Sequence, residues 1–352
     1  MRGLILFCCL SALCVFPGVA AELTVPDLDQ VWEQAEGYGV NPGDSLDQGA
    51  ANLLQTAAAQ VGSLFRASLS TALKLIAVVL LCAMAEGVQG ENEGLQAVTI
   101  AGALAITALT MTDMAVMIGL GRDTLEKMET FADLLLPVTA VLTAATGGVA
   151  GAAVRQGATI LFSQLLLIAM DRLLIPLIYA YVAVSCAHAA VGNPGLKKVG
   201  DLLKGTVNFL LTALLLAFVG YLTASGAIAG SVDAAAVKTA KMAISRAIPV
   251  VGGILADASE SVLAGAGVLR GTVGVVGMLV VLAICLTPFL RLALQYLVYR
   301  GTAALCACVA QPKLSGLIEA IGSAFGLVLG MTGAGALVLL VSLVSAIGAV
   351  VP

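Results

Sequence analysis

Two carboxylates three residues apart, Asp257 and Glu260, stand in the apolar, glycine-rich stretch AIPVVGGILADASESVLAGAGVLRG at 247–271. On a helix this spacing puts both acids on one face. Neighbouring carboxylates repel, and one of them is driven toward its neutral form unless a cation or water lies between them. Such a pair suits the lining of a wet passage or an ion-sensitive joint. The plainer reading is a surface loop or interfacial helix with both acids in water, and Gly252-Gly253, Ser259 and Ser261 suit it equally. Asp113 and the adjacent Asp171-Arg172 stand in apolar runs as well. A charge at the centre of a bilayer costs from ~2.5–3.5 kcal/mol upward, so such groups face protein, water or one another. These five residues are the candidate pathway or intramembrane polar groups.

Other reactive residue types offer little. The single histidine, His188 in AVSCAHAAVG, reads as a helix-end or buried structural residue before it reads as a base. Cys306-x-Cys308 matches no zinc pattern, and cysteines scattered in apolar runs act as small hydrophobes. The sequence has no G-x-x-x-x-G-K-[ST] loop for a nucleotide and no basic region for nucleic acid. No enzyme activity, cofactor or metal is therefore expected.

The elements that position these residues follow from composition. The chain has 352 residues, of which 60% are hydrophobic and 11% charged. Soluble domains are ~45–50% apolar and ~25% charged, so the sequence predicts an all-α polytopic membrane protein. Residues 1–21 read as a signal peptide, with Arg2 before an apolar run and small residues at Gly18 to Ala21. Residues 22–50 hold seven acidic side chains and no Lys or Arg, as extracytoplasmic segments do. They read as a solvated arm, part of an arm and amphipathic lead-in over 22–66.

Apolar runs predict spans near 67–88, 95–118, 134–152, 157–191, 206–230, 272–299 and 321–351, six to eight crossings in all. At 35 residues the 157–191 run is either two short crossings about Asp171-Arg172 or one long helix bent at Pro176. Lys197, Lys198 and Lys204 predict a cytoplasmic joint, and Lys238, Lys241 and Arg246 would prefer the same side.

The chain also pairs with itself. A proline closes each of two amphipathic stretches, Pro137 and Pro249, and a small-residue segment follows it, including Gly252 and Gly253 in the second. Thirty-nine residues later each copy has a proline in a long apolar run, Pro176 and Pro288. The expected organisation is a first helix and joint at 67–94, two repeats at 95–205 and 206–320, and a last helix at 321–352. The four prolines and the glycine pair are the expected helix breaks. Gly267-x-x-x-Gly271 and Gly326-x-x-x-Gly330 let helices approach closely, within one chain or between copies in a homo-oligomer.

LLCAMAEGVQ, LLLPVTAVLTAATGG, TAKMAISRAIPVVGGILADASESVLAGAGVLRG and CLTPFLRLALQYLVYR, in that order, resemble the stage III sporulation protein AE family. The likeness covers about 65–350 and is most specific from Thr239 to Arg300. It implies a component of the channel complex between mother cell and forespore in endospore formers, set in the mother-cell membrane. The implied partners are the other stage III AA–AH proteins, a separate ATPase among them, and stage II sporulation protein Q across the intermembrane space. The resemblance carries no catalytic residues. A different reading of the duplication and buried acids is a secondary transporter with a midplane site between repeats.

Overall fold

The computed structural model describes residues 28–40, 45–89, 94–145, 150–224, 272–309 and 312–348. They form helices α1 (Leu28–Gly37), α2 (Leu46–Gln89), α3 (Gly94–Ala145), α4 (Ala150–Ala169), α5 (Ile175–Val191), α6 (Pro194–Ala224), α7 (Thr272–Ala307) and α8 (Pro312–Gly348). A π-helical turn, Met170–Leu174, joins α4 to α5. Among the described residues six stretches are long and apolar enough to cross a membrane, with α4 and α5 sharing one, so the chain is an all-α multi-pass membrane protein.

One expectation about the spans is corrected. The 95–118 and 134–152 runs are not separate crossings: α3 is one 52-residue helix that passes through residue 137. The intervening GRDTLEKMETFAD continues the helix because Leu125, Met128, Phe131 and Leu135 recur at helical spacing and are all buried. A helix of that length rises about 78 Å against a ~30 Å hydrocarbon core, so α3 projects well beyond the bilayer. For the 157–191 run the structure takes the second of the two alternatives, one long helical column with its irregular turn beside Pro176.

The proline expectations divide. Pro137 does not end its helix, and Pro288 lies inside an uninterrupted α7. Pro176 does coincide with a change of backbone, since the π turn directly precedes it. Proline offers no N–H and crowds the carbonyl four residues back, and a widened turn relieves that crowding. Pro249, Gly252, Gly253, Gly267, Gly271, Asp257 and Glu260 lie outside the described residues, as does the signal sequence.

The arm is not simply solvated. Val31 and Ala35 of α1, with Val40 just beyond it, are buried in the main core, and Trp32 and Tyr38 pack against it. The acidic residues Asp29, Glu33 and Glu36 leave one apolar stripe on this short helix, and that stripe docks on α3 and α7.

Contacts along the bundle fix the helix directions. Near one end, Gly102 of α3 faces Cys82 of α2 and Leu314 of α8, and Gly192 after α5 faces Lys313. At mid-height Ser68 of α2, Gln295 of α7 and Asp113 of α3 are hydrogen-bonded. Toward the other end Gly49 of α2 faces Leu279 of α7, and Gly277 faces Leu343 and Leu135. Lys204 bonds Ser323 early in α6, while Phe218 and Leu222 pack with Val338. Thus α2, α4–α5 and α7 run one way, and α3, α6 and α8 run the other. Ala224 and Thr272 therefore fall at the same end, opposite the one that holds Lys197 and Lys198.

α8 is the hub, packing on α7, α3, α5, α4 and α6. Lipid tails are as apolar as leucine, so in a membrane close packing rather than hydrophobicity draws helices together. Glycines of α8 provide that closeness. A Cβ on Gly322 would fall 3.1 Å from that of Tyr299 and 3.5 Å from the Arg300 backbone nitrogen. One on Gly326 would come 2.9 Å from the Tyr296 ring, and one on Gly335 2.8 Å from Leu125. Gly330 of the same stripe is buried. Gly326→Val is therefore expected to cost about 1–3 kcal/mol by overpacking, read as a lowered Tm in detergent. Gly301→Ala on the open side of α7 is the control, because nothing lies within 4 Å of a Cβ there.

Candidate functional site: the polar cluster around Asp113

α3 carries Asp113 between the buried residues Thr110 and Met114, with apolar side chains on its outward face. The carboxylate is half-buried and turned toward α7. Tyr299 Oη donates to Asp113 Oδ2 at 2.9 Å, and Gln295 Nε2 donates to the same oxygen at 3.1 Å. Gln295 and Tyr299 are four residues apart on α7, hence stacked on one face. The amide of Gln295 reaches the other way as well, its Oε1 accepting from Ser68 Oγ of α2 at 2.6 Å. Tyr299 is fully buried, and its ring meets Phe325 of α8 edge-on, centroids 4.9 Å apart.

One carboxylate thus organises four helices. Asp113, Gln295 and Ser68 tie α3, α7 and α2 by hydrogen bonds, and Tyr299 presses the cluster onto α8. Both donors to the carboxylate are neutral, so the cluster has an acceptor charge and fixed donors but no cation. That arrangement holds a carboxylate in place; it is not a chain along which a proton or ion is handed on. Asp113 came from the sequence as an isolated intramembrane acid. Its partners were missed, although Gln295-x-x-x-Tyr299 shows two polar groups at helical spacing inside an apolar run.

The pair Asp171-Arg172 sits elsewhere. Asp171 Oδ1 lies 3.2 Å from Arg122 Nε of α3, and Arg172 Nε is 4.0 Å from Oδ2. Oδ1 accepts no aligned hydrogen bond, so the contact with Arg122 is one of charge proximity. Arg122 and Arg172 are largely exposed. Asp123 and Lys127, the neighbours of Arg122 on α3, pair with each other, so the π turn faces a charged segment of α3. His188 is a helix-end residue: its carbonyl accepts from Gly192 N–H at 2.7 Å, and its Nδ1 lies 2.8 Å from the Asn193 carbonyl. That oxygen only accepts, so Nδ1 carries the hydrogen.

Tyr299→Phe should remove one donor while keeping the ring. A hydrogen bond to a charged group in water would suggest ~1.5–3 kcal/mol. Measured intramembrane bonds average nearer 0.6 and reach about 1.7 kcal/mol, because the unfolded chain in the membrane also finds partners. A loss of about 0.6–1.7 kcal/mol is expected in detergent-micelle unfolding. In a double-mutant cycle with Asp113→Asn the two losses should be less than additive; full additivity would show that the bond contributes nothing.

Comparison with known proteins adds the identity of the fold. No solved structure matches the chain. A curated relative, the Stage III sporulation protein AE of Bacillus subtilis (strain 168), is 23% identical over 202 residues, covering 57% of this chain and 51% of that protein. The chain thus aligns with about half the length of that relative. The sequence profile of the Stage III sporulation protein AE family matches residues 44–350, which include the Asp113 cluster, all six apolar helices and the glycine-lined hub. The chain belongs to that family.

Proposed function

We propose that the chain is a non-enzymatic membrane subunit of the channel complex joining mother cell and forespore during endospore formation. Family membership over 44–350 is the observation that carries this reading. In it, the chain sits in the mother-cell membrane around the forespore. It acts beside the other stage III AA–AH proteins, with the motor in a separate ATPase and with stage II sporulation protein Q on the far side. The bundle refines the role. α8 fills the axis of the described helices, and Asp113 is tied to α7 by two donors that α2 and α8 hold in place, which favours a rigid structural subunit or one wall of a shared conduit. The positive-inside bias puts the end with Lys197, Lys198 and Lys313 in the cytoplasm and α1 on the extracytoplasmic side.

A second reading, a secondary transporter, draws support from the π turn beside Pro176. Such turns interrupt helices at working sites, and α4–α5 and α7 run parallel as two copied units of a transporter could. Recovery from sporulating cells in mild detergent separates the two. The subunit reading expects the tagged chain to bring down other stage III proteins, the ATPase among them. A chain recovered alone, which after reconstitution accumulates a solute against a gradient, would overturn it.

Asp257 and Glu260 remain the candidate pathway pair of this reading. Asp257→Asn with Glu260→Gln is expected to leave assembly intact and to slow passage of small molecules into the forespore. Passage at the unaltered rate would remove both acids from any pathway.

A further inference from the structure

A cavity of about 260 Å³ opens at the end of the bundle where α5 stops and α6 and α8 begin. Its floor is neutral and polar: Tyr181, Ser185 and the buried Ser323. Lys197 and Lys204 of α6 and Lys313 of α8 stand around it, with Leu196, Leu317 and Ala320 as apolar wall. Two acids share the lining, Asp201 and Glu319. Glu319 is already held, since Arg300 donates to it at 2.6 Å while lying over the Tyr296 ring. Three ammonium groups then face one carboxylate. Among the described residues no acid lies within ion-pairing distance of Lys197, Lys204 or Lys313, and Lys204 donates only to the neutral Ser323 Oγ, at 3.1 Å.

The backbone reinforces this excess. Pro194 and Pro312 open α6 and α8 beside the cavity, so the positive ends of two helix dipoles meet there against the single negative end of α5. Lysines are compact point charges that bind phosphate without needing the flat fork that suits a carboxylate. Lys204 is half-buried, so its charge is held at a fixed place in the cleft and is poorly screened. Next to the cavity Val199 and Leu202 of α6 are exposed on the apolar outside of the bundle. A ligand that enters here meets cations at its head and greasy helix surface along its length.

We infer that this cavity binds the phosphate of an anionic phospholipid headgroup, with Lys197, Lys204 and Lys313 as its ligands and the Ser323 hydroxyl orienting Lys204. Basic pockets between transmembrane helices near a membrane surface take such headgroups, each lysine contributing about 1 kcal/mol, or roughly fivefold in affinity. The shared chemistry is a phosphate oxyanion, and a free phosphate offers it too.

The test uses the purified full chain in a neutral detergent, with Tm followed during titration by short-chain phosphatidylglycerol, short-chain phosphatidylcholine or inorganic phosphate. Phosphatidylglycerol is expected to raise Tm saturably and phosphatidylcholine is not. Lys313→Gln, an exposed position whose loss leaves the helix contacts intact, should weaken the effect about fivefold, and Lys197→Gln with Lys313→Gln about thirtyfold. A response to phosphatidylglycerol alone assigns the lipid as source; an equal response to inorganic phosphate, lost in the same variants, assigns the oxyanion and removes the lipid. No saturable shift with either, or shifts that the lysine variants leave unchanged, would overturn the site.

Discussion

A carboxylate set among apolar helices has to be held by its own protein, and in this chain that requirement falls on Asp113. Its two direct donors, Tyr299 and Gln295, both come from α7, and Ser68 of α2 holds Gln295 from the other side. Tyr299 and Gln295 reach it only if α7 runs antiparallel to α3, and Ser68 reaches Gln295 only if α2 packs on α7 in register. A slide of one residue along α7 would turn both donors by about 100° away from the acid. The cluster therefore acts as a register pin: apolar helices slide past one another at little cost, and these bonds select one height.

Packing then fixes what the hydrogen bonds align. Glycine disfavours a helix in water by ~0.8–1.0 kcal/mol per residue, and α8 carries seven of them. In a membrane the backbone has no better partner than its own helix, so the penalty is largely lifted and the missing side chains become an advantage. Gly322 and Gly326 bring α8 against Tyr299 and Tyr296, the same face of α7 that feeds Asp113. Polar cluster and glycine stripe are thus two layers of one interface: the tyrosine that caps the acid is held from behind by Phe325.

How much of this the sequence displays depends on whether a signal is local. Solvent class, a helix count within the expected six to eight and the place of Asp113 in an apolar run are all visible, because each depends on composition within a window. The continuity of α3 is not. GRDTLEKMETFAD carries six charges in thirteen residues and looks like a joint, yet its buried face is a period of leucine, methionine and phenylalanine that matters only beside α8. Prolines mislead for the opposite reason. At Pro288 the neighbours hold α7 helical, whereas at Pro176 the strain emerges as a π turn. The partners of Asp113 were hidden because they lie 182 and 186 residues away, beyond any periodicity.

The helix directions also gather the basic residues. α6 leaves Ala224 at the end opposite Lys197, and α7 starts from that same end. Lys197, Lys198, Lys204 and Lys313 therefore meet at one end of the bundle from two separate parts of the chain. A cluster of that density is what the positive-inside bias responds to, and the acidic α1 docks toward the other end, on α3 and α7.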